Sequence, residues 1–428
     1  MTIALVGFAL LLLLAFTGIP LGVVSIVVGV LGFAYYRGWD AAMTMASQQF
    51  LETAGNQSLV VIPLFILMGI FIWRANISDD IYAAGYSWFG RRKGGVAMST
   101  VAASGLFSAV CGSSLATAAT MSKVAMPALR KYRYSDSISS GTIAAGGTLG
   151  IMIPPSVPMV IYAIVAQEDV GLLFISGIVP GILLILSFIL AIYIVATVYP
   201  TLAPRGEKTG WVEKFKSLNK VSPIIGIFAT ILGGIYTGVF TPTEAATIGV
   251  ILSLLYSVIS GRIRSKRVIF DCLSEATIAS ASIFMIIIGS MIFASFINMT
   301  GLPYDILDFV ESLELGPTAF VIAVCLVFTV LGMFFETIGI LVLALPVFLP
   351  TLYAMDINLI WFGILTIIVI ELGLITPPIG MNVFVVKSSI PDININKIFA
   401  GVIPFLIADL MVLVAVFYFP SIATLFTS

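Results

Sequence analysis

Apolar runs long enough to cross a bilayer recur along the whole 428-residue chain, and no other feature limits its fold so strongly. About 20 apolar residues in a helix span ~30 Å of hydrocarbon. None of the polar stretches between the runs is large enough for a separate soluble domain. The expected fold class is therefore an all-α polytopic membrane protein. Composition agrees, with 60% hydrophobic and 10% charged residues and a mean hydropathy of +1.15, far outside the range of soluble globular domains. The run at 3–16 lacks a basic leader and a second run at 21–36 follows almost at once, so both read as mature membrane helices rather than a cleaved signal. The absence of histidine removes the commonest metal ligand and general base. Cys111, Cys272 and Cys325 stand in apolar contexts at no metal-ligand spacing and read as small buried residues.

Basic residues report sidedness, because cytoplasmic loops carry an excess of Lys and Arg. Clumps lie at Arg91, Arg92 and Lys93, at Arg130, Lys131 and Arg133, within 205–220, and at 262–267, with Lys387 and Lys397 further on. The segment at about 94–129 is apolar or small apart from Lys123, and both its flanks are basic. It is expected to enter and leave on one side as a re-entrant hairpin, with Gly112, Ser113 and Ser114 near its tip, where small residues tolerate non-helical backbone at depth. The loop before Pro317 is acidic and no Lys or Arg occurs between Arg267 and Lys387. A second hairpin at about 317–350 is therefore expected from the opposite face, with residues 332–337 at its tip. Arg37 falls in a loop this topology places outside, against the trend.

The chain also matches itself. Thr17-Gly18 recurs as Thr237-Gly238 and Gly69 as Gly289 at a shift of 220, Pro127 as Pro346 at 219, Pro154-Pro155 as Pro377-Pro378 at 223, and Gly177-x-x-Pro180 as Gly401-x-x-Pro404 at 224. Ordered landmarks of this kind indicate duplication. The expected halves are 1–204 and 221–428, joined by a cytoplasmic linker at 205–220. Each holds two helices, a third helix, a hairpin, a broken helix and a closing helix. Five crossings plus a re-entrant pair invert the second copy and place both termini outside, an arrangement common among secondary transporters.

The broken helices are expected at about 137–165 and 359–386, because Pro154-Pro155 and Pro377-Pro378 each remove two main-chain donors in mid-run. Half-helices expose carbonyls to a cation and a positive amino-terminal end to an anion; the plainer alternative is a kink that serves packing. Gly112, Ser113 and Ser114 with Gly146, Gly147 and Thr148 form one candidate cation site, and Gly332, Glu336 and Thr337 with Thr376, Pro377, Gly380 and Asn382 a second. Hydroxyl and carbonyl oxygens suit a hard cation. Charged residues at membrane depth are functional candidates by default, which singles out Glu336 and Glu371, although Glu371 has the alternatives of pairing with Lys387 or capping a helix. Lys123 either assists an anionic ligand or extends to the cytoplasmic surface.

The stretches GLFSAVCGSSLATAATMSKVAMPALRKY, GTLGIMIPPSVPMVIYA and ELGLITPPIGMNVFVV resemble the large membrane (M) subunit of tripartite ATP-independent periplasmic (TRAP) transporters over essentially the whole chain. The resemblance implies sodium-coupled import of an organic acid across the bacterial inner membrane by an elevator motion, without ATP, and no phosphate-binding loop motif occurs. At least two sodium ions are implied as co-transported ions. Sialic acid (N-acetylneuraminate) is the favoured cargo on overall likeness, with a C4-dicarboxylate or another organic acid as the alternative. A small four-helix membrane subunit (Q type) and a periplasmic substrate-binding protein (P type) are implied partners. The moving domain would comprise 94–165 and 317–388 and the scaffold the remainder, and residues 39–57 resemble an arm helix at the membrane surface rather than a plain loop. Ser156, Thr376 and Asn382, beside the breaks, are the expected substrate contacts. Two other function classes fit less well. A Ser114–Lys123 hydrolase dyad has a poor spacing for one helical face, and a passive channel does not need duplicated discontinuous helices.

Overall fold

The computed structural model describes residues 2–426, the side chain of Val110 apart, and among them every regular element is a helix. The first half runs α1 Thr2–Phe16, α2 Leu21–Arg37, α3 Trp39–Gly55, a 3-10 turn at Gln57–Val60, α4 Val61–Arg74, α5 Ile77–Phe89, α6 Gly95–Cys111, α7 Ser114–Lys131, α8 Asp136–Met152, α9 Val157–Val165 and α10 Val170–Val198. The second runs α11 Trp211–Tyr236, α12 Pro242–Ile259, α13 Lys266–Thr300, α14 Leu302–Ser312, α15 Pro317–Gly332, α16 Thr337–Ala354, α17 Leu359–Ile375, α18 Met381–Ser389, α19 Ile395–Tyr418 and α20 Ser421–Thr424. Seven helical stretches among the described residues are long and apolar enough to cross a bilayer, and α8 with α9 makes an eighth span, bent by 45°.

Helix boundaries follow local chemistry. Side chains of Ser135, Asp169 and Asn358 accept hydrogen bonds from the main chain of Ile138, Leu172 and Trp361 at the starts of α8, α10 and α17, capping donors that the helix leaves free. Thr241 and Glu244 form a reciprocal capping box at the start of α12. Gly18 (φ +87°) and Gly238 (φ +71°), the glycines of the Thr-Gly repeat, take the same left-handed turn after α1 and α11, a conformation most side chains resist.

Helices α6 and α7, and α15 and α16, occupy the stretches where hairpins are expected, and α8 with α9 and α17 with α18 those of the expected broken helices. The second hairpin runs to Ala354, past the expected limit of 350. Residues 39–57 are largely helical, as α3. The sequence reading errs in two places. The linker expected at 205–220 ends at Gly210, because α11 starts at Trp211, where Glu213 reaches back to the Gly210 main-chain N–H. The third helix of each half is two helices, since left-handed Asn76 (φ +53°) separates α4 from α5 and Gly301 (φ +77°) separates α13 from α14.

Packing joins the halves in matched pairs. Helix α2 lies on α13 as α12 lies on α4; α6 packs on α8 as α15 packs on α17; α7 meets α18 as α16 meets α9. The α2–α13 contact is backbone to backbone, since a methyl group on Gly289 would stand 2.2 Å from the Gly22 carbonyl oxygen. Helices α10 and α19 pack on each other and on the broken helices α8 and α17.

Candidate functional site

The first tip is set by Gly112, which ends α6 in a left-handed turn (φ +60°), and by Ser113, whose Oγ caps α7 at the Ala116 N–H. It seats on a glycine face of α8. A methyl group on Gly150 would lie 2.8 Å from the Ser113 carbonyl oxygen, and one on Gly147 would lie 3.1 Å from that of Ser114. Gly112 faces the break itself, with the Pro155 carbonyl oxygen within 3.7 Å of a methyl placed there. Of the α8 residues singled out from sequence, only Gly147 meets the tip. Gly146 faces the Ser104 hydroxyl on α6, and the Thr148 hydroxyl donates to Ala145 O within its own helix.

Asn382 belongs to this first group and not to the second, where sequence had put it. It crosses from α18 to α8, its Nδ2 donates to Ala144 O at 3.2 Å, and it stands against Gly147. The side chain is fully buried and its Oδ1 has no hydrogen-bond partner. A buried amide oxygen left unpaired loses its hydration without return. A cation beside it would supply the missing partner.

The second tip divides. Gly332 and Met333 seat on α17 and its break, where a methyl on Gly373 would be 2.6 Å from Thr329 O and the left-handed Gly380 donates its N–H to Met333 O at 3.2 Å. Glu336 and Thr337 instead turn to a cavity of about 900 Å³ that Cys111, Gly112, Ser113 and Ser114 of the first tip also line. The Thr337 hydroxyl is buried without a partner. One cavity therefore touches both tips, and α4 and α13 close it on the far side. Its volume suits a ligand of metabolite size.

Charge enters this cavity from residues the sequence reading left aside. Arg74 at the end of α4 bonds Glu275 on α13 at 2.9 Å, and both line the wall. Their signal in sequence was a single ionised residue within an otherwise apolar run. Lys123 also lines the cavity, is exposed to it, and makes no ion pair among the described residues.

The three residues expected to touch substrate lie elsewhere. The Ser156 hydroxyl is buried and donates to Ile151 O, the Thr376 hydroxyl donates to Leu372 O, and none of Ser156, Thr376 and Asn382 lines the cavity. Pro154 and Pro155 are buried whereas Pro377 and Pro378 are exposed, so the two breaks differ in surroundings. Glu371 is buried outside the cavity, and Lys387 does not reach it, because its Nζ is bonded to the Pro391 and Ile393 carbonyls. The three cysteines are free, and no metal-ligating cluster of His, Cys, Asp and Glu occurs among the described residues.

Membrane-length helices, one of them the bent pair α8–α9, that meet two helical hairpins around one cavity define a polytopic membrane transporter. The fold is shared with the solved YdaH transporter of Alcanivorax borkumensis, at 13% identity over 90% of this chain and 89% of that one, with a TM-score of 0.65. More narrowly, residues 6–422 match the family described as "Tripartite ATP-independent periplasmic transporter, DctM component", and the chain belongs to that family. It is 34% identical to the C4-dicarboxylate TRAP transporter large permease protein DctM of Pseudomonas aeruginosa, over 90% of this chain and 89% of that protein. It is 30% identical to the sialic acid TRAP transporter large permease protein SiaM of Vibrio cholerae, over 96% of this chain and 95% of that protein.

Proposed function

We propose that the chain imports an organic anion across the bacterial inner membrane, coupled to sodium, as the large subunit beside a small membrane subunit and a periplasmic binding protein. The observation that carries this reading is the single cavity shared by both hairpin tips, with Lys123 and Arg74 in its wall. A carboxylate entering it meets Lys123, a cation with no ion-pair partner among the described residues. Sialic acid is the first cargo to test, and a C4-dicarboxylate is as well supported by the relatives' names.

Sodium would sit at the tips. At the first, Asn382 presents a buried Oδ1 without a partner, while its Nδ2 and the Ser114 carbonyl both lie against Gly147, and these two oxygens suit a hard monovalent ion. At the second, the Thr337 hydroxyl lacks a partner beside Glu336. Sodium is cargo here. Its binding orders each tip against its glycine seat and so completes the cavity wall for the anion.

The moving body in this reading is α6–α9 with α15–α18. Helices α10 and α19 travel with it, because they pack on α8, α17 and each other. The paired α2–α13 and α4–α12 form the scaffold. Lys123 and Glu275 lie about two helical turns from the basic clumps at Arg130 and Arg267, so the charged end of the cavity faces the cytoplasm by the positive-inside rule and both termini face the periplasm.

The deciding experiment is uptake of labelled N-acetylneuraminate and, separately, succinate into proteoliposomes that hold the complete complex. An inward sodium gradient is expected to drive accumulation of one of them, and an equal potassium gradient none. Equal uptake in both salts overturns sodium coupling, and accumulation of neither anion under sodium overturns the cargo class. In the same assay Lys123→Ala is expected to raise KM about tenfold with little change in kcat, the effect of losing one charge-assisted contact of about 1.5 kcal/mol. An unchanged KM removes Lys123 from the anion path.

A further inference from the structure

Glu371 on α17 and Asp409 on α19 are both 0% exposed, and none of their four carboxyl oxygens has a hydrogen-bond partner. The two helices pack on each other, and α8, which ends at Met152 before its break, packs on both.

No counter-charge reaches the pair from the helices around it. On α18 Lys387 is held by two carbonyls. Asp136 of α8 and Lys397 of α19 pair with each other. Tyr162 of α9 and Tyr353 of α16 donate to Leu359 O and Ala166 O. Cys325 of α15 is a free thiol, and Tyr193 and Tyr199 at the far end of α10 and Tyr418 at the end of α19 are exposed.

Two carboxylates in apolar surroundings do not both keep their charge without a cation between or upon them. A proton bound to one carboxyl oxygen removes the charge and needs no further ligand.

We propose that Glu371 and Asp409 make the cluster of α8, α10, α17 and α19 a proton-binding site, separate from the cavity and from the two hairpin tips, in which at least one of the two buried carboxyls is held as the acid. Both helices pack within the cluster of α8, α10, α17 and α19, so the proton stays with that cluster whatever the rest of the molecule does.

Infrared difference spectroscopy on the purified full chain tests this without any transport assay. At about pH 8, where exposed carboxyls are ionised, the wild type is expected to retain a protonated-carboxyl stretching band that shifts in heavy water. Its intensity is expected to fall in Glu371→Gln and in Asp409→Asn, in sodium buffer and in choline buffer alike. A spectrum with carboxylate bands alone overturns the proposal, and a band seen only in choline overturns it in favour of sodium as the occupant. If either variant fails to fold, the wild-type spectrum in the two buffers still decides: a deuterium-sensitive protonated band in both supports the site, and its absence in sodium overturns it.

Discussion

Gly401→Ala is expected to abolish the folded protein in detergent. A methyl group at this position on α19 would lie 1.9 Å from the Ser137 carbonyl oxygen on α8, and one on Gly141 would lie 2.2 Å from the Gly401 carbonyl. Both obstructions are main chain, so no side-chain rotation relieves them and the two helices have to separate. Overpacking that yields by side-chain movement costs about 1–3 kcal/mol, and a contact that yields only by moving a helix exceeds it. The same crossing carries the hydrogen bond from Ser137 Oγ to Lys397 O at 2.9 Å and the Lys397–Asp136 ion pair at 3.9 Å, which are lost with it. Gly226→Ala is the control. Nothing lies within 4 Å of a methyl group there, and exchanging Gly for Ala inside α11 favours the helix by roughly 0.8 kcal/mol. Thermal melting followed by tryptophan fluorescence should show no cooperative transition for Gly401→Ala and a slightly raised midpoint for Gly226→Ala. A parent-like melt for Gly401→Ala contradicts the close crossing of α8 and α19.

Asn382→Leu is expected to leave the chain folded and to cut sodium-driven uptake at least tenfold. The substitution keeps side-chain volume but removes the hydrogen bond from Nδ2 to Ala144 O and the unpaired, buried Oδ1. The first loss costs about 0.5–1.5 kcal/mol, because Ala144 lies inside α8 and its carbonyl keeps its own-helix donor. The second removes the one buried side-chain oxygen of Asn382 that lacks a partner. Because a cation is involved in this reading, the sodium concentration for half-maximal uptake should rise while anion KM measured at saturating sodium stays near its parent value. A kcat loss with no change in sodium dependence assigns Asn382 to packing instead. Asn382→Asp sharpens the test, since it keeps an oxygen and loses the amide donor. It should retain more sodium affinity than Asn382→Leu.

Much of the architecture was legible because one-dimensional pattern and physical cause coincide. A Pro-Pro pair removes two donors wherever it occurs, so both helix breaks were readable, and small residues between basic flanks marked the first hairpin. The Gly-x-x-Pro landmarks were visible as a repeat, but their cause was not. Gly177 and Gly401 are glycines because α10 and α19 run close to the broken helices, with Gly177 pressed on the Met152 carbonyl and Met159 and Gly401 on the Ser137 carbonyl. The breaks at Asn76 and Gly301 escaped notice, although Asn76 stands in a polar stretch beside Arg74, Asp79 and Asp80 and Gly301 is followed by Pro303.

The candidate site was only half legible. Sequence proximity assigned Asn382 to the second tip because it follows Pro377-Pro378, yet α18 packs on α7 and α8 and delivers its side chain to the first. Ser156 and Thr376 looked available for substrate because they flank breaks, but each hydroxyl is taken by a carbonyl of the same chain segment. Arg74 drew no reading from the sequence, and Lys123 was left between helping an anionic ligand and reaching the cytoplasmic surface. Their convergence on one cavity depends on how α4 and α7 are placed.

By itself the sequence determined the solvent, the helical class and the interruption of helices at the two Pro-Pro pairs, because hydrophobic length and missing donors act through neighbours in the chain. Only the tertiary structure decided which oxygen is left without a partner, which charges share a cavity, and that Glu371 is buried out of reach of Lys387. Those are relations between helices far apart in sequence, set by the close approach of glycine-lined faces, and no local pattern records them.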